Sequence, residues 1–273
     1  MSSNLLIWLA SAWELLLKNG DWMAWNLFLA LLPFALSVWL FRPHRSRSYL
    51  WWIGLLLLGT FLPKAPFIAS YMLRFIRDNR TNYFVWAITL VLIILDMWLL
   101  RRSRSRSFSW WVCFLIFIAF LPNAPYVLTD IIHLITDIRE TNSVWLITLV
   151  LIPQYLLFIL IGLEAYVLSL IYMGEYLKQN SWGKFVTWVE LLIHALSAVG
   201  IYLGRFLRFN SWDLVTDIDN VANTVIDDLT AKRPLIVIIV TFVIITVLYW
   251  LMKQVSLGIM LKNTQRNVLA SEE

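Results

Sequence analysis

Charge is what this chain has least of. Only 14% of its 273 residues are Asp, Glu, Lys or Arg, against 60% hydrophobic residues and a mean hydropathy of +0.74. A soluble domain has about a quarter charged residues. Thiols and imidazoles are scarce as well. Cys113 is the single cysteine, so an internal disulfide and a cysteine-built metal centre are excluded. His44, His133 and His194 are the only histidines, a thin supply for a metalloenzyme. No metal and no cofactor is therefore expected. A GxxxxGK[ST] phosphate loop and an HExxH zinc motif are absent, which leaves ATP hydrolysis and zinc-protease chemistry of those kinds without support. The N-terminus lacks the basic start and small-residue cleavage site of a secretory leader.

What fills the chain is long apolar runs, several near the roughly 20 residues that a membrane helix needs. Many of the sixteen tryptophans stand at the ends of these runs, among them Trp22, Trp25, Trp39, Trp51, Trp52, Trp110, Trp111, Trp145, Trp182 and Trp250. Interfacial aromatic belts have that placement. The net charge of +5 does not point to nucleic acid. The loops RPHRSRS (42–48) and RRSRSRS (101–107) concentrate arginine without any acid. Orientation and anionic lipid headgroups account for them, and both loops read as cytoplasmic. The lipid bilayer is thus the first partner.

The pattern predicts an all-α membrane bundle of about seven spans: 22–41, 49–73, 83–100, 108–128, 144–173, 185–204 and 234–252. Pro63/Pro66 and Pro122/Pro125 break two of them, because proline removes a backbone donor and displaces its predecessor from helical geometry. Residues 1–21 read as an N-terminal segment whose short apolar run, 4–17, lies on the membrane. Residues 22–255 form the transmembrane domain, and 256–273 a polar tail. An outer amphipathic helix is expected over about 211–233, from Leu214, Ile218, Val221, Val225 and Leu229 at helical spacing. Together these place the N-terminus outside and the C-terminus in the cytoplasm of a bacterial cell membrane.

An internal repeat organises the middle. Shifted by 59, FLPKAP at 61–66 meets FLPNAP at 120–125, Trp51-Trp52 meet Trp110-Trp111, and ITLVLI at 88–93 meets ITLVLI at 147–152. Units of about 42–100 and 101–159 each hold two spans, so the duplication is parallel, with its axis along the membrane normal. Low-complexity similarity does not explain matched prolines, tryptophan pairs and arginine loops in one register. Polar positions diverge: Tyr71 becomes Asp130 and Arg74 becomes His133. Arg74 or Arg77 is expected to approach Asp130 or Asp137.

Candidate working residues follow from polarity where polarity is costly. Asp130, His133 and Asp137 recur at i, i+3 and i+7, one face of a helix. That face can shuttle a proton or hold a cation, though polar helix ends facing water show the same pattern. Glu164, Glu190 and His194 lie inside apolar spans, where ionisable groups mark function or a specific pair. Glu190 and His194, at i and i+4, are spaced for direct hydrogen bonding. A structural clasp between helices is the alternative. Asn123, Tyr126, Asp137, Arg205, Arg208 and Asp213 are candidates for substrate contact. Arg205 and Arg208 suit phosphate or carboxylate, or pairing with Asp130 and Asp137. Asn123, between two prolines, suits capping of broken backbone.

FLPNAPYVLTDIIHL at 120–134 and IYLGRFLRFNSWDL at 201–214, with the span pattern, resemble the bacterial multi-pass membrane proteins grouped as domain-of-unknown-function 1361. The resemblance covers about residues 22–255 and implies membrane placement and bacterial origin, not a mechanism. Three functions stay open. One is a permease or lipid-handling protein with an outer vestibule and a buried Glu/His group. The second is a membrane enzyme, a hydrolase or transferase acting on a small-molecule or lipid-linked substrate through Asp130, His133 and His194. The third is an assembly or accessory protein. Broken helices and buried acids favour the first.

Overall fold

A computed structural model describes residues 2–42, 47–70, 108–207 and 232–269. Its helices are α1 (Ser2–Phe41), α2 (Arg47–Phe61), α3 (Phe108–Phe120), α4 (Asn123–Tyr126), α5 (Ile131–Glu140), α6 (Val144–Leu146), α7 (Ile152–Gln179), α8 (Val186–Phe206) and α9 (Lys232–Leu269). No strand occurs among the described residues. Six stretches are long and apolar enough to cross a membrane: Leu5–Phe41, Trp51–Ser70, Phe108–Glu140, Val144–Gln179, Gly183–Phe206 and Pro234–Lys262. The chain is therefore an all-α, multi-pass membrane protein. The span expected at 83–100, the amphipathic helix expected at 211–233, and Arg74, Arg77, Arg208 and Asp213 lie outside the described residues.

Two boundaries differ from the sequence reading. Residues 4–17 are not a separate element, because α1 runs unbroken from Ser2 to Phe41. The polar run Lys18-Asn19-Gly20-Asp21 separates 4–17 from the span expected at 22–41. Lys18 and Asn19 instead bond to Asp137, so these polar side chains face a partner from within a helix. At the other end, helix continues to Leu269 where a tail was expected from 256. Ser256 is buried there, which anchors the extension.

Contact pairs fix the helix directions. α1 runs antiparallel to α2, since Phe34 meets Tyr49 and Phe28 meets Phe61. It is antiparallel to the α3–α5 rod, with Trp110 at Leu40 and Asp130 at Asn26. It is parallel to α7, with Trp22 at Tyr155 and Phe34 at Tyr172. α2 and α3 thus share a direction, and both leave α-helical geometry right after the matched Phe61 and Phe120. α7 and α8 form a tight hairpin. Ser181 takes a left-handed φ of 67° and the Trp182 N–H donates to the Leu177 carbonyl at 2.9 Å, closing the helix end.

α9 packs on that hairpin. Glu164 and Tyr166 of α7 meet Ser256 and Tyr249, and Glu190 and His194 of α8 meet Lys253 and Tyr249.

The proline-broken segment is a wedge at the centre, not a tip. Leu121, Ala124, Pro125 and Val127 are all buried. Two glycines admit it. A Cβ at Gly162 of α7 would lie 2.6 Å from Val127 Cγ2, and one at Gly200 of α8 would lie 3.0 Å from Pro122 Cβ. The interrupted backbone is satisfied locally. The Ala124 N–H donates to the Leu121 carbonyl at 3.1 Å, and Asn123 Nδ2 donates to the Phe120 carbonyl at 3.0 Å. Broken backbone at membrane depth survives only with such partners. A second accommodation precedes Pro153, where Ile147–Leu151 widens to a π turn and gives the ring room.

Gly162→Ala should lower stability by about 1–3 kcal/mol through overpacking against Val127. Gly59→Ala, in open space on α2, should be neutral or slightly stabilising. Thermal unfolding of the purified protein in one detergent checks the pair; equal shifts would remove the wedge argument.

Candidate functional site

The predicted polar residues separate into an end cluster and a mid-span cluster. In the end cluster, Asp130 and Asp137 face α1. Asp130 is 1% exposed and accepts from Asn26 Nδ2 at 2.9 Å. Arg205 NH1 stands 3.5 Å from its Oδ1, while Arg205 NH2 donates to the Thr129 carbonyl at 3.2 Å. His133, half exposed, has Nε2 3.9 Å from Asp130 Oδ1 and its ring 5.0 Å from that of Trp22. Asp137 accepts from Asn19 Nδ2 at 2.6 Å, Tyr155 OH at 2.9 Å and Lys18 Nζ at 3.2 Å. Lys18 also reaches Glu140 at 2.8 Å.

These contacts form two equal rungs. Asn19 and Asn26 are seven residues apart on α1, and Asp137 and Asp130 are seven apart on the opposing rod. Seven residues are about two helical turns, so both pairs lie on facing stripes of antiparallel helices. Asparagine donates to carboxylate at each rung, and one cation, Lys18 or Arg205, neutralises each acid. The cations expected from Arg74 or Arg77 are thus supplied, among the described residues, by Lys18 and Arg205. Pairing of Arg205 with Asp130 is as the sequence allowed.

The mid-span cluster joins α7, α8 and α9. His194 is at the middle of the Gly183–Phe206 span and is 1% exposed. Its Nδ1 shares a hydrogen bond of 2.7 Å with Tyr166 OH, which lies 3.4 Å from Ser197 Oγ. Glu190, one turn away, accepts from Tyr249 OH at 2.8 Å and Lys253 Nζ at 2.6 Å. The Tyr249 ring packs 4.6 Å from the His194 ring, and the Lys253 ammonium is 5.1 Å from the Tyr249 ring. Glu190 and His194 therefore have separate partners and are linked through Tyr249, not by the direct bond their spacing allowed. Glu164 stands apart, accepting from Ser256 Oγ at 2.7 Å.

Asp130 and His194 do not converge. Arg205, the partner of Asp130, is eleven residues along α8 from His194, about 16 Å of helical rise. The wedge Pro122–Val127 lies between the two levels. A shared acid–base centre of Asp130, His133 and His194 is thus absent from this arrangement, and no three His, Cys, Asp or Glu side chains are grouped to hold a metal among the described residues. Asn123 caps backbone, as its position between prolines suggested. Tyr126 donates its backbone N–H to the Pro122 carbonyl at 3.1 Å. Sequence reasoning missed Lys18, Asn19, Asn26, Tyr155, Tyr166, Tyr249, Lys253 and Ser256. The signal was available for Asn19 and Asn26: two amides at heptad spacing facing acids at the same spacing.

Residues 25–100 and 86–247 match the family described as "Protein of unknown function (DUF1361)". No curated protein and no solved structure matches the chain.

Removing Arg205 leaves a buried carboxylate without its cation. Arg205→Met should cost about 3–5 kcal/mol, and Asp130→Asn in the same protein should restore most of it. A double-mutant cycle by thermal unfolding measures this, and additive losses would show that the two side chains do not interact.

Proposed function

The chain belongs to the DUF1361 family of proteins of unknown function, and from that premise we propose that it is a permease-like protein of the bacterial cell membrane that handles a charged substrate at Glu190 and Lys253. One observation carries the reading: a Glu–Lys ion pair at 2.6 Å beside the mid-span histidine, contributed by two different helices. Apolar residues of equal volume hold helices together as well as, or better than, a buried ion pair. A pair retained at membrane depth gives a charged substrate something to exchange with. An anion replaces Glu190 at Lys253, or a cation replaces Lys253 at Glu190. Tyr249 then transmits the exchange to His194 and Tyr166, because it contacts both of them as well as Glu190 and Lys253. The end of the bundle where α1 and α7 finish and α8 begins carries Arg42, Arg47, Lys178 and Lys184, which supports a cytoplasmic assignment for that end.

A second reading has its own support. Asp130, Asp137, Glu164 and Glu190 all have protein partners, as expected of an accessory protein whose polar groups only clasp its helices.

One measurement separates the two. A ligand that binds only the folded protein at about 100 times its Kd adds about 2.7 kcal/mol of stability. A panel of small organic anions, organic cations and lipid-linked phosphates should contain a class that raises the unfolding temperature of the wild-type protein but not of folded Glu190→Gln. If every class acts on both proteins alike, the clasp reading stands and the permease reading falls.

A further inference from the structure

Glu164 is the acid the proposed exchange at Glu190 does not use. It is two to three residues past the middle of the 36-residue Val144–Gln179 span, so it lies at the depth where a carboxylate has least access to water. It is half-buried in the seam between α7 and α9, and its one partner among the described residues is the Ser256 hydroxyl at 2.7 Å. The other three interior acids differ. Asp130 has Arg205, Asp137 has Lys18 and Glu190 has Lys253 within ion-pair distance. Lys253 is three residues from Ser256 on α9, but its nitrogen is committed to Glu190 at 2.6 Å.

The surroundings of Glu164 are open and apolar. Leu160 and Ile161, one turn before it on α7, are exposed, as are Val255 and Ile259 beside Ser256 on α9. Residues three and four apart share a helix face. The carboxylate therefore lies in a greasy seam that faces outward at lipid depth. An ionised acid there is costly without a counter-charge, and the described residues supply a hydroxyl donor and no cation.

We infer that the Glu164–Ser256 seam is a binding site for a lipophilic monovalent cation, one whose charge meets the carboxylate and whose apolar body fills the seam between Leu160 and Ile259. The two requirements come from different observations. The unmatched carboxylate selects the sign of the charge, and the exposed aliphatic side chains select an apolar carrier that can arrive through the bilayer. The serine orients one carboxylate oxygen by donating to it and leaves the second to face the ligand. This site is independent of the exchange proposed at Glu190.

Tetraphenylphosphonium and tetraphenylborate are matched probes, close in size and apolarity and opposite in charge. Equilibrium dialysis of the purified full chain should show saturable tetraphenylphosphonium binding, with affinity at least tenfold weaker in Glu164→Gln, largely kept in Glu164→Asp, and unchanged in Glu190→Gln. Tetraphenylborate should not bind saturably to the seam. Size-exclusion profiles identical to wild type confirm that each variant is folded. Three results would overturn the inference: phosphonium binding that survives Glu164→Gln, equal binding of both probes, or loss of phosphonium binding in Glu190→Gln alone. A ligand panel that acts alike on wild type and Glu190→Gln, with phosphonium binding intact, would count against the permease reading and leave this site standing.

Discussion

An acid inside a bilayer has no water to fall back on, and the bundle is arranged around meeting that constraint four times. Asp137 ties α5 to α1 and α7 through Asn19, Lys18 and Tyr155. Asp130 ties the same rod to α1 and α8 through Asn26 and Arg205. Glu190 ties α8 to α9 through Tyr249 and Lys253, and Glu164 ties α7 to α9 through Ser256. Apolar packing alone discriminates weakly among helix registers in lipid, because lipid tails are as apolar as leucine. Polar rungs fix register because a slip of one turn leaves a buried group unpaired.

The wedge makes those rungs compatible with one another. If the Phe108–Glu140 rod were a continuous α-helix, its acids would lie roughly 200–260° around it from Cys113 and Phe117, away from the face those two residues bury. The prolines and the 3₁₀ turn Val127–Asp130 shift the phase of the second half, so that Asp130 and Asp137 present to α1 while Pro122 and Val127 press against Gly200 and Gly162. The same two glycines let α7 and α8 close on the wedge, and the hairpin they form sets His194 against Tyr166 one level away. Backbone geometry at 122–130 thus bears on both clusters, although only one contains residues from it.

Membrane placement, the helical class, the breaks at Pro63 and Pro122 and the costly acids could be read from the chain, because each rests on local composition or on a missing backbone donor. Asn123 as a cap was equally local. The partners were not readable. Lys18 and Asn19 fell in the N-terminal segment set apart from the bundle, since a polar run at the edge of an apolar stretch looks the same whether it meets water or an aspartate on another helix. Lys253 and Ser256 resembled the start of a tail for the same reason.

Sequence alone therefore determined which residues are expensive at depth: hydropathy and proline chemistry act within a few residues of their own position. Only the tertiary structure decided who satisfies them. It joined Asp130 to Asn26 across 104 residues and Glu164 to Ser256 across 92, kept Asp130 and His194 at separate levels, and set Lys253 of α9 against Glu190 of α8. Each of these depends on the register and direction of helices packed side by side, and the apolar residues that form those helices are nearly interchangeable in setting either one.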